Sequence, residues 1–176
     1  MVEQYWRDNR LNIIHEGTHG IQALDLLGRK VVMDSGAGLK LLATTISRTI
    51  DRTIDRAGQA LGHDAGLAEH GAALAAALQR LGAATQAAWS TGKPEDALAN
   101  ATPYLQAFGP VVLAWMWLEV ALAAQAAAAR QPNSFVQGKL QACRYFFAYE
   151  LPKIDAWLAV VSSRNPVCRE MQDDWF

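Results

Sequence analysis

Four stretches of this chain place mostly apolar residues at steps of three and four. The first runs Leu39, Leu42, Ile46, Ile50, Ile54, Ala57, Leu61. The second runs Leu67, Gly71, Leu74, Leu78, Leu81, Thr85, Ala88. The third runs Leu98, Ala101, Leu105, Phe108, Val112, Trp115, Glu119, Leu122, and the fourth Val136, Leu140, Cys143, Phe147, Leu151, Ile154, Leu158, Val161. A mean step near 3.5 keeps one stripe of a helix turned toward its neighbours. The stretches are separated by "GHDAG" (62–66), "STGKP" (90–94) and "RQPNS" (130–134), which are rich in helix-ending residues. No segment sustains the period-two alternation of a strand. The pattern predicts an all-α fold: an antiparallel four-helix bundle over residues 39–163. Pro110 and Pro152 fall inside two of its helices, where each should kink or interrupt the helix.

Ahead of the bundle the pattern predicts a short helix over 2–10, an irregular link over 11–17 and a helix near 18–33. Ile21, Leu24, Leu27, Gly28 and Val31 share one face of that last helix. "DSGAG" (34–38) then breaks it. Three parts follow: 1–33, a helix-loop-helix; 39–163, the bundle; and 164–176, a terminal tail.

Composition supports this picture. The 176 residues are 51% hydrophobic and 19% charged, enough for a sizeable core. The net charge of −1 gives no electrostatic reason to expect nucleic acid or an anionic membrane as a partner. Cys143 and Cys168, with no C-x-x-C, read as reduced thiols of a cytoplasmic protein. "MVEQYWRDNR" at the start is too polar for a secretory signal. The apolar segment 108–129 is long enough to cross a bilayer, but Glu119 and Gln125 interrupt it and much of it is alanine. It is expected as a buried bundle helix, not a membrane span. Glu119 stands at a seam position, so either it meets a buried partner such as an arginine or its helix is rotated. Trp115, Trp117 and Trp157 are expected in the core. "RTIDRTIDR" (48–56) offers Arg48/Asp51 and Arg52/Asp55 pairs on an exposed, charge-laced face.

The candidate chemistry lies in "IIHEGTHGIQ" (13–22). His15, Glu16 and His19 form H-E-x-x-H, a zinc-binding spacing when both histidines share one helical face. That needs unbroken helix, and Gly17-Thr18 is a poor helical pair. The extended pattern would also want a glycine and a histidine where this chain has Gln22 and Asp25. His63 and His70 have no suitable spacing to the motif. Zinc hydrolysis is therefore the weaker reading, and no metal is expected.

The wider segment 5–30 carries three ordered elements: Arg7-Asp8-Asn9-Arg10, then Glu16-Gly17-Thr18, then Ile21-Gln22 with Gly28-Arg29-Lys30. It resembles the end of the catalytic helical domain of the acyl-CoA dehydrogenase family. The bundle resembles the extra C-terminal helical domain of a bacterial subgroup, the methylmercaptopropionyl-CoA dehydrogenase-like enzymes. The resemblance implies that Glu16 is the catalytic base, which takes the α-proton of an acyl-CoA thioester. It implies that Gly17 contacts substrate and that Thr18, His19 and Gly20 touch FAD. His15 and His19 depart from the family's usual residues, which bears on acyl-chain preference. The implied partners are an acyl-CoA substrate, the remainder of a dehydrogenase chain, an electron-transfer flavoprotein and a second copy in a homodimer. The fragment alone is expected to be inactive and flavin-free.

The physical logic agrees. A dry carboxylate is a stronger base, because burial raises its pKa. Thr18 is a suitable N-cap, and a helix start presents N–H groups to a pyrophosphate. The alternative of another class is a helical interaction or dimerisation module with no catalysis, in which the Glu-Gly-Thr match is accidental.

Overall fold

The computed structural model describes residues 2–11, 18–59 and 65–175, and within them the four periodic stretches are helical along most of their length. Helix α1 is Val2–Asn9. Helix α2 is Thr18–Asp25, prolonged by a π-helical turn over Leu26–Lys30. Helix α3 is Met33–Gln59, α4 is Ala65–Ala88, α5 is the short Pro94–Leu98 and α6 is Ala101–Ala128. Helix α7 is Ser134–Tyr145, prolonged by a π turn over Phe146–Glu150 and a 3-10 turn over Leu151–Lys153. Helices α8 (Ile154–Ser163) and α9 (Val167–Glu170) complete the order. The fold is all-α, with no strand among the described residues.

The breaks have visible causes. Asp34, Ser35 and Gly36 all take left-handed backbone, with φ of 51°, 55° and 77°, so the regular part of α3 starts after them. Such angles are costly for residues with a Cβ. This is the break expected from "DSGAG". Asn133 caps α7 by accepting the Val136 N–H at 3.0 Å. Pro94 opens α5, where its missing N–H costs nothing.

Successive long helices of the bundle run antiparallel, as their short links require. Helices α4 and α7–α8 are parallel neighbours: His70 stacks on Phe147, and further along Arg80 pairs with Asp155 at 3.0 Å. Helix α6 packs on α2, α4, α7 and α8, and less extensively on α3. By length and composition it could cross a membrane; here its seam is the centre of the bundle.

The seams show how the sequence specifies packing. In the fourth stretch Val136, Cys143, Phe147, Leu151, Ile154, Leu158 and Val161 are all buried, as expected. The seam takes two four-residue steps in a row there, Cys143 to Phe147 to Leu151. That is one residue more than a regular heptad, and the π turn absorbs it. Pro152 lies in the 3-10 turn that follows, so the expected interruption is present. Pro110, in contrast, sits inside an unbroken α6.

The third stretch is rotated by one position from expectation. The expected Ala101 and Leu122 are buried at its ends, but between them the buried residues of α6 are Tyr104, Ala107, Val111, Ala114, Leu118 and Ala121, while Leu105, Phe108 and Trp115 flank them. A helix apolar on every side gives periodicity little to choose by, and small residues let the neighbouring helices come close. In α3 the seam passes through Thr49 and Thr53, each 1% exposed, while Ile54 is 51% exposed. The Thr53 hydroxyl donates to the Thr49 carbonyl at 2.8 Å, which makes its burial tolerable. In α2 the inward face is Ala23, Leu27 and Val31; Ile21 and Leu24, expected there, are exposed.

Candidate functional site

Thr18, His19 and Gly20 form the first turn of α2. Thr18 is half-buried; His19 and Gly20 are exposed, and nothing lies within 4 Å of where a Cβ on Gly20 would stand. Glu16, Gly17 and His15 lie outside the described residues. Among the described residues no three potential ligands gather as a metal site.

The core holds α2 firmly. Ala23, Leu27 and Val31 join the same hydrophobic cluster as the bundle seams. In the π turn the Val31 N–H reaches back to Leu26 at 3.0 Å instead of to Leu27. The Leu27 carbonyl accepts the indole N–H of Trp89, just past the end of α4, at 3.2 Å. Gly28 lies against Leu98 of α5: a Cβ there would sit 3.1 Å from a Leu98 methyl. On the outer face Asp25 takes Arg29 at 2.6 Å and Lys30 at 3.0 Å. Those hydrogen bonds, Arg29's first, hold the Asp25 carboxyl below its ordinary range.

A second polar constellation joins α3 to α6. Thr49 donates to the Glu119 carboxylate at 2.6 Å and accepts from the Trp115 indole at 2.9 Å and from Arg52 at 3.2 Å. Arg52 also pairs with Glu119. Every bonding capacity of the buried hydroxyl is used. Glu119 thus has an arginine partner and also stands on a helix rotated from the expected register. The expected Arg52/Asp55 pair gives way to Arg52–Glu119. Arg48, Asp51 and Asp55 form no ion pair among the described residues.

At the opposite side of the bundle, two adjoining clefts of about 350 Å³ and about 400 Å³ share Gly66, His70, Gln141 and Arg144. His70 stacks on Phe147 with ring centroids 4.4 Å apart and planes 9° from parallel. That burial lowers its pKa; Arg144 adds to the effect and Glu69 opposes it. This constellation was not singled out in the sequence. The one local signal was the spacing of Gln137, Gln141 and Arg144 on one face of α7, but His70 and Gln125 come from other helices. Deeper in, Tyr104 shares a 2.7 Å hydrogen bond with Thr85, and burial pushes its hydroxyl to about 12. Burial likewise pushes the Cys143 thiol to about 11, which leaves it unreactive, whereas Cys168 is exposed.

The tail is tied down. Asn100 donates to the Asn165 carbonyl at 3.0 Å, and Arg169 pairs with Asp96 of α5.

Comparison with known proteins fits this architecture. Residues 42–172 match the family described as "Acetyl-CoA dehydrogenase C-terminal like". The chain is 37% identical to a 3-methylmercaptopropionyl-CoA dehydrogenase of Ruegeria pomeroyi over 82% of its own length and 24% of the relative's. It is 26% identical to a broad-specificity linear acyl-CoA dehydrogenase of Mycobacterium tuberculosis over 99% of its length and 29% of the relative's. The chain thus spans less than a third of the curated relatives it matches. An all-α bundle whose long helices carry this match belongs to the acyl-CoA dehydrogenase C-terminal-like family.

Proposed function

We propose that this chain forms the C-terminal part of an FAD-dependent acyl-CoA dehydrogenase and that Glu16 is its catalytic base. The observation that carries the reading is the likeness to a 3-methylmercaptopropionyl-CoA dehydrogenase over 82% of the chain. The Arg-Asp-x-Arg, Glu-Gly-Thr and Ile-Gln elements in order before the bundle support it.

The division of labour follows from chemistry. A hydrogen on the carbon next to a thioester is weakly acidic, so a carboxylate placed beside it and shielded from water can remove it. Bound flavin would accept the hydride from the neighbouring carbon. Thr18, His19 and Gly20 are suited to the edge of such a cofactor: they form an open first turn with space beside Gly20. The start of α2 also offers backbone N–H groups to an anionic pyrophosphate. Gly17 would lie against the substrate. The remaining flavin and thioester surface would come from the rest of a dehydrogenase chain, so the fragment alone is inactive. An electron-transfer flavoprotein is the expected oxidant, in the cytoplasm.

The test is Glu16→Gln in a dehydrogenase chain that also carries the flavin-binding part. Turnover of an acyl-CoA should fall by about 10²–10⁴ with FAD retained. Unchanged turnover would remove Glu16 from the role. Stoichiometric zinc that is lost with His19→Ala would instead favour metal-assisted hydrolysis.

A further inference from the structure

We propose that the cleft between α4, α6 and α7 binds a small zwitterion of the α-amino-acid class whose side chain is polar and uncharged. The proposal goes beyond the dehydrogenase reading above and needs neither flavin nor Glu16. The cleft lies at the other end of α4 from the Trp89–Leu27 contact that holds α2, about 28 Å along the helix axis.

Two observations support it. The first is a set of polar groups held in place but left open. In the α3–α6 constellation the Thr49 hydroxyl spends all its bonds within the protein. Around this cleft the side chains of His70, Gln137, Gln141 and Arg144 make no hydrogen bond to another described residue. Their surroundings are nonetheless ordered. His70 lies flat on Phe147, and Tyr145 stacks on Tyr149 with ring centroids 4.9 Å apart. Leu67 and Leu140 add apolar wall, and nothing lies within 4 Å of where a Cβ on Gly66 would stand. The two lobes, of about 350 Å³ and about 400 Å³, are at the lower end of the range of small-molecule sites.

The second observation is the charge. Glu69, on α4, and Arg144, on α7, both line the larger lobe, and neither has an ion pair among the described residues. His70 feels both of them, with opposite sign. An anion alone would gain Arg144 but face Glu69; a cation alone would do the reverse. A zwitterion satisfies both, its carboxylate on the Arg144 fork and its ammonium on the Glu69 carboxylate. His70, kept neutral by burial, opposes neither end. The smaller lobe adds Gln125 and Gln137 to Gln141. Carboxamides both donate and accept, so they match an amide or hydroxyl side chain. With Arg144 already engaged, a charged side chain would find no counter-ion in that lobe.

The experiment is calorimetric titration of the 176-residue chain with L-glutamine, with the His70 imidazole NMR resonances as local reporter. Glutamine should bind saturably, one per chain, with Kd below about 1 mM, and shift those resonances. Glutaramate, which lacks the ammonium, and γ-aminobutyramide, which lacks the carboxylate, should each bind at least about tenfold more weakly. In Glu69→Gln, glutamine and glutaramate should bind alike, because the partner of the ammonium is gone. In Arg144→Gln, glutamine and γ-aminobutyramide should bind alike for the same reason. Both side chains are exposed, so both variants should keep the wild-type helical circular dichroism. The ranking of the three ligands on the wild type stands as a test even where a variant fails to fold. No saturable glutamine binding up to about 10 mM would overturn the proposal. So would glutaramate matching glutamine on the wild type, the result for a plain anion site, or losses from ligand and residue that simply add. None of these results bears on Glu16, which is read by turnover.

Discussion

Glu119, on α6, is held by Arg52, on α3, across the groove between the two helices. The pair is partly exposed, so its Coulomb energy is screened, and a pair of this kind adds about 0–1 kcal/mol. The buried Thr49 hydroxyl makes the site worth more than the pair. Glu119→Ala leaves that hydroxyl without its acceptor and should cost about 1–3 kcal/mol. Arg52→Ala should cost under about 1 kcal/mol, because Glu119 keeps Thr49 and water. Urea unfolding of both variants, and of the double variant, measures the difference.

Trp89→Phe tests the attachment of α2. The ring still fills its place, but the Leu27 carbonyl loses its indole donor. The expected loss is about 1 kcal/mol in chemical unfolding. Gly28→Val should cost more, since branched carbon would press on Leu98.

His70 predicts a pH effect. Its pKa is lower in the folded chain than in the unfolded one, mainly through burial against Phe147. The unfolded chain therefore binds more protons once pH drops below the ordinary histidine value of about 6.5. The stabilisation is complete above that pH and is lost as pH falls through the window down to the lowered value. His70→Gln should flatten the melting temperature between about pH 7.5 and pH 5 relative to wild type. Parallel curves for the two proteins would show that the histidine does not titrate differently on folding.

The cysteines should separate kinetically. Cys168 is exposed and should react promptly with a thiol reagent; Cys143 is buried with its thiol at about 11 and should react only on unfolding. A titration with and without denaturant would show one fast and one unfolding-dependent thiol.

How much of this was legible follows from the residues themselves. The α7–α8 seam was readable from Val136 to Val161 because polar residues separate its apolar positions. The α6 seam was misplaced by one position because leucine, tryptophan and alanine surround that helix. Thr49 and Thr53 were hidden because a threonine in a seam looks polar until its hydroxyl finds an acceptor. Glu119 was the useful anomaly: a carboxylate in an apolar run needs a partner, and its partner lies 67 residues away in sequence. The His70 cleft draws on three helices, so local spacing could not reveal it. Of the site residues, Thr18, His19 and Gly20 form the first turn of α2. Glu16 and Gly17 remain assigned by resemblance.

The π turn over Leu26–Lys30 also works as a shim. It holds one residue more than an α-helical turn, and each residue of a helix advances the direction of its side chains by about 100°. Deleting one residue there would restore regular winding but swing the Thr18–Gly20 turn by roughly that angle, while Val31 and the bundle stay where they are. The bearing of the first turn of α2 is thus set by a local miscount, next to the glycine that lies against Leu98.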